Sequence, residues 1–113
     1  MKVLSPSQHG YLDYGTVLIF LVAPSLFGLE GLSAAISYAL AIIHLLLTVL
    51  TDFPLGFAKL IPFNAHGWVE KIVGPVLVLL PFIIGLYETA RIFYITMGVI
   101  IIIVDLITNY REM

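Results

Sequence analysis

No cysteine occurs among the 113 residues, and only 11% of them are charged. The first absence excludes disulfides, thiolate nucleophiles, iron–sulfur clusters and cysteine-ligated zinc. The second leaves too little polar surface to cover a water-soluble particle of this size, since soluble domains carry about a quarter charged residues. Basic residues are also few: five Lys and Arg against seven Asp and Glu, a formal net charge of -2. Such a chain has no positive field for nucleic acid, and no nucleic-acid partner is expected. Glycine-rich phosphate loops, nucleophile elbows and HExxH patterns are missing too, so the soluble enzyme classes they mark have no footing and a non-enzymatic role is expected.

What is present is apolar. Hydrophobic residues make up 61% of the chain, and the mean hydropathy is +1.12. Four runs of about one bilayer thickness, 11–29, 32–51, 68–87 and 89–108, predict four transmembrane helices in a single membrane domain, 1–113. Trp68 and Tyr87 stand where amphipathic rings anchor at the two interfaces. The connectors after the first and third spans are tight, and Glu88 and Arg91 are expected to pair with each other or with headgroups. The middle connector, 52–67, is long and carries Phe53, Leu55, Phe57, Leu60, Ile61 and Phe63 between prolines and glycines. That composition predicts an ordered amphipathic stretch against the membrane face. Lys2, Lys59, Lys71 and Arg111 fall on the side of both termini and Arg91 alone on the other. The positive-inside tendency then places both termini in the cytoplasm, with the chain in a bacterial inner membrane.

Sliding the chain against itself by 57 residues lays His9-Gly10 on His66-Gly67, Tyr11 on Trp68, Asp13 on Glu70 and Pro24 on Pro81. Gly28-Leu29 falls on Gly85-Leu86 and Thr51 on Thr108, without a gap. Agreement of such rare residues predicts two repeat units, 2–56 and 59–113. Each holds two spans, so the units are oriented in parallel and related by an axis along the membrane normal. The expected fold is an all-α, four-helix membrane bundle. Two tandem two-span units, each with a proline and then a glycine in its first span (Pro24 with Gly28, Pro81 with Gly85), resemble the SPW-repeat family of small bacterial membrane proteins. Where that family's name-giving Ser-Pro-Trp would fall, this chain reads Ala23-Pro24-Ser25 and Leu80-Pro81-Phe82. The resemblance implies a fold and no activity.

Two groups of residues could carry chemistry. His9 with Asp13, and His66 with Glu70, are spaced four apart and share a helix face wherever the helix has begun. Brought together by the twofold, they offer two imidazoles and two carboxylates to Zn, Mn or Fe. The competing reading makes each His-Gly a surface turn, its glycine loosening the backbone, and each acid a first-turn residue at a helix N-terminus. The second group is His44, Thr48 and Asp105. His44 and Thr48 share a face, and Thr48 is the repeat mate of Asp105, which predicts a buried polar cluster for a small ligand. His44 is also the one intramembrane imidazole available to haem.

The expected function is that of a packing or accessory membrane protein, oligomeric, in contact with lipid and with a second copy or another membrane protein, and with no cofactor. The alternatives are a ligand-binding or transport module at His44, Thr48 and Asp105, and metal or haem binding through His9, His66 or His44.

Overall fold

The computed structural model describes residues 2–111. Four helices follow in order, α1 Pro6–Phe27, α2 Gly31–Leu50, α3 Phe63–Ile84 and α4 Glu88–Ile107, with two short strands, β1 Thr51–Asp52 and β2 Ile61–Pro62, in the middle connector. All four are long and apolar enough to cross a membrane. Adding 57 to the bounds of α1 and α2 gives the bounds of α3 and α4. Helices pack as two pairs, α1 with α2 and α3 with α4.

Polar signals set the helix ends outside the apolar runs. α1 starts five residues before the expected span because Ser5 and Gln8 form a capping box, with Pro6 in the first turn. The Ser5 hydroxyl accepts from the Gln8 amide at 3.2 Å, and Gln8 Oε1 accepts from the Ser5 amide at 2.9 Å. Its symmetry partner α3 starts after Pro62. His9-Gly10 and His66-Gly67 are therefore inside helices, and the surface-turn reading of these dipeptides is corrected. At the other end, Gly28 and Gly85 adopt left-handed φ of 66° and 71° and donate to the carbonyls of Pro24 and Pro81. Gly31 (φ 55°) and its repeat mate Glu88 (φ 53°) then open α2 and α4. Arg91 donates to the Leu86 carbonyl at 3.1 Å and lies over the rings of Phe82 and Tyr87, instead of pairing with Glu88.

The connector is ordered. β1 pairs in parallel with β2, Thr51 opposite Ile61, and the isolated bridge of Leu4 with Thr108 is the same pairing shifted by 57. Phe53 and Phe63 are buried and stacked face to face at 5.3 Å, whereas Phe57 and Leu60 are exposed.

Burial differs from that of a soluble protein in what lies outside and in how many polar groups lie within. Leu18, Leu26, Ile42, Ile83 and Ile92 are each more than half exposed, while His9, Asp13, Thr48, Thr51, His66, Glu70 and Thr108 are buried. That distribution suits a hydrocarbon solvent, which accepts aliphatic side chains and penalises unpaired polar ones. The apolar core lies around Phe20, Ala23, Ala41, Leu77, Phe93 and Tyr94. Within it, Ser37 donates to the Phe20 carbonyl at 2.6 Å and Tyr94 to that of Ser33. α3 and α4 are in tight backbone contact at Gly98, where an added Cβ would lie 2.7 Å from the Gly74 carbonyl oxygen and 2.8 Å from the Val78 amide nitrogen. Those are backbone atoms and cannot swing aside. Gly98→Ala should destabilise the bundle by roughly 1–3 kcal/mol through overpacking. A denaturant titration in detergent that returns the parent midpoint would contradict this contact.

Candidate metal centre

One helical turn places Asp13 above His9 on α1 and Glu70 above His66 on α3. α1 and α3 turn these two faces toward each other, about 5–10 Å in from the helix starts. His9 Nε2 lies 2.7 Å from Glu70 Oε1 and 3.2 Å from Asp13 Oδ2. His66 Nε2 lies 2.6 Å from the same Glu70 Oε1 and 2.9 Å from the same Asp13 Oδ2. Each imidazole therefore meets the acid of its own helix and the acid of the other. All four ligand atoms fall within 4.8 Å of one another, and none of the four residues is more than 2% exposed.

The far side of each ring fixes its tautomer. His66 Nδ1 is 2.8 Å from Thr51 Oγ1, and that hydroxyl gives its single proton to the Leu47 carbonyl at 2.6 Å. His9 Nδ1 is 2.7 Å from Thr108 Oγ1, which donates to the Val104 carbonyl at 2.6 Å. A hydroxyl that has already donated can only accept, so both Nδ1 atoms carry hydrogen and both Nε2 atoms face the acids. Thr51 and Thr108 come from the strand-like segments that follow α2 and α4. Each threonine thus orients the histidine of the other repeat, in the manner of the outer partners that align metal-bound imidazoles.

The aromatic lid explains the glycines. A Cβ on Gly10 would lie 2.6 Å from the Phe53 ring, and one on Gly67 2.6 Å from the Tyr110 ring. Phe53 and Tyr110 are repeat mates, so the glycine after each histidine provides a seat for an aromatic ring and does not loosen the site. Phe63 completes this cover, edge-on to His9 at 5.4 Å and 4.9 Å from Tyr110. Tyr110 donates to Asp105 at 2.6 Å, and burial together with that bond pushes its phenol above its ordinary value.

His44, Thr48 and Asp105 are not joined into one cluster. Thr48 is turned back on its own helix and donates to the His44 carbonyl at 2.8 Å, while Asp105 accepts from Lys71 at 3.0 Å and from Tyr110. Helical spacing puts residues on one face but does not say which neighbour that face meets, and here α3 supplies Lys71. His44 instead points its Nε2 at Asp13 Oδ1, 3.4 Å away. It belongs to the edge of the His9, Asp13, His66, Glu70 site. The polar residues that spacing did not single out are Thr51 and Thr108, although their coincidence at offset 57 was visible.

The donor set, two nitrogens and two oxygens with no sulfur, matches a borderline divalent metal of the Zn2+ type. Bonds of about 2.0–2.1 Å in a tetrahedron would hold the ligand atoms about 3.3 Å apart; the nitrogen–oxygen separations of 2.6–3.2 Å are shorter, those of charge-assisted hydrogen bonds, so the side chains would move apart to admit an ion. Asp13 Oδ2, His66 Nε2 and His44 Nε2 are buried beside opposite partners at 2.6–3.4 Å but are poorly aligned for hydrogen bonding. No family model, curated protein or solved structure matches this chain. The likeness to SPW-repeat proteins therefore goes no further than the four-helix arrangement in two pairs.

Replacing either clamp by its near-isostere, Thr51→Val or Thr108→Val, leaves a buried Nδ1–H without an acceptor. Each should cost about 1–3 kcal/mol, and the two costs should be similar because the environments are symmetry mates. Detergent unfolding curves of the two variants check both statements.

Proposed function

We propose that this is an integral membrane protein of the bacterial cytoplasmic membrane, with both termini on the cytoplasmic side, that binds one divalent metal ion of the Zn2+, Fe2+ or Mn2+ class through His9 Nε2, His66 Nε2, Asp13 and Glu70. The observation that carries this reading is the convergence of both imidazoles on the same two buried carboxylate oxygens, at 2.6–3.2 Å. A proton on His66 Nε2 points along one line and serves one acceptor. A cation between the four atoms is attracted to all of them.

Charge supports the same choice. With both imidazoles neutral the quartet carries two negative charges in a low-dielectric interior, a costly state that a divalent cation neutralises. A role in packing alone gives no reason to bury four ionisable groups where aliphatic side chains would fill the space more cheaply. With each Nδ1 committed to a threonine, only Nε2 faces the acids, so the nitrogen that hydrogen-bonds Glu70 from His9 at 2.7 Å is also the one a metal would take in place of that proton.

The protein purified in detergent and titrated with Zn2+, with metal content read by mass spectrometry, should bind one equivalent per chain. His66→Ala and Glu70→Gln should each weaken binding at least about tenfold. Acidification should release the metal, with the logarithm of affinity falling by up to roughly two per pH unit once protons compete for both Nε2 atoms. Failure of the parent protein to bind any divalent metal, or variants that bind as the parent does, would leave only two imidazolium–carboxylate pairs and overturn the proposal.

A further inference from the structure

The two sides of the metal centre differ. Between α1 and α4 a crevice of about 160 Å³, walled by Leu12, Gly15, Thr16, Ile19, Met97 and Ile100, reaches inward to Asp13 and Glu70. Shifted by 57 residues it has a counterpart between α2 and α3, walled by Leu40, Ile43, Leu47, Val69 and Val73 and also ending on Glu70, but there only about 30 Å³ remains. Two replacements accompany the difference. His44 stands on the closed side where Ile101 stands on the open one, and Gly15 on the open side is Ile72 in the other repeat. A Cβ added to Gly15 meets no atom within 4 Å, so the gap at this position is real space and not a tight backbone contact.

We infer that the α1/α4 crevice is a binding subsite, opening sideways to the lipid, for a neutral lipid-soluble phenol whose hydroxyl reaches the metal centre. The walls and the site support this chemistry. The outer wall residues Leu12, Ile19 and Ile100 are exposed on what is the lipid side of the helices, and Tyr11 marks the headgroup end. An occupant must therefore partition into hydrocarbon. At the inner end stand two carboxylates, which only accept hydrogen bonds. They repel an anionic head, and an ammonium would first have to be desolvated, whereas a hydroxyl is an affordable donor. The volume is close to that of a cavity known to take a benzene-sized ring. On the opposite flank the space left is that of about one water molecule, and His44 closes it.

This inference rests on the metal reading, and the experiment separates the two. Protein in lipid nanodiscs is loaded with Co2+, whose visible absorption reports its ligands, and titrated with 4-heptylphenol. The parent should show the cobalt band and a saturable shift of it. Gly15→Leu should keep the band and its intensity without phenol but lose at least about nine-tenths of the shift, and Thr16→Leu, a second plug on the same wall, should do the same. Ile72→Leu, on the related position of the other repeat, should respond as the parent does. A cobalt band that 4-heptylphenol does not move would overturn the phenol subsite and leave the metal site standing, as would a shift of equal size in parent and both plugged variants. Absence of the cobalt band in the parent would overturn both.

Discussion

One constraint shapes this fold: a polar atom buried away from water must find its partner within the protein. Four ionisable side chains at one end of the bundle satisfy it in large part by meeting each other. His9 needs Glu70, and His66 needs Asp13, so α1 and α3 are drawn together at the twofold even though most helix packing lies within each pair. The threonine clamps add a second requirement, since Thr108 must come to His9 and Thr51 to His66. The residues after α2 and α4 are consequently pinned beneath the site, and the short strand pairings at Thr51 and Thr108 are the backbone expression of that pinning.

The site is insulated as well as assembled. Phe53, Phe63 and Tyr110 cover its outer end, which shields the imidazoles from the aqueous side and lowers the local dielectric. In such surroundings the attraction between a divalent cation and carboxylates is stronger, and the penalty for an unfilled charge is larger. Rigidity follows from the same contacts. Each histidine is held at Nδ1 by threonine, flanked by an aromatic ring, and followed by a glycine against which a further ring packs.

Much of this was legible from sequence. Continuous apolar runs marked four helices because hydrocarbon demands long uncharged segments, and the offset of 57 was visible because His, Gly and Pro are rare enough for their coincidence to carry weight. The pairing of His9 with Asp13 and of His66 with Glu70 followed from helical spacing. What spacing could not supply was the order of helices around the site: it grouped His44 with Thr48 and Asp105, although Lys71 and Tyr110 claim Asp105 and Asp13 faces His44. The start of α1 was misplaced because hydropathy does not register a capping box. Thr51 and Thr108 coincide at offset 57, but their role is not legible, because sequence does not reveal that a threonine spends its proton on a carbonyl and so accepts from a histidine.

The crossing of the clamps has a consequence for the origin and divisibility of the chain. A lone two-helix unit carries a histidine, a carboxylate and a threonine, yet its threonine is directed at a histidine it does not possess. Such a unit can bring two imidazoles onto two carboxylates only by associating with a second one, as a homodimer of identical halves. Joining the halves in one polypeptide removes the demand for identity. Each flank of the centre is then free to specialise, one blocked by an imidazole and the other left open at a glycine.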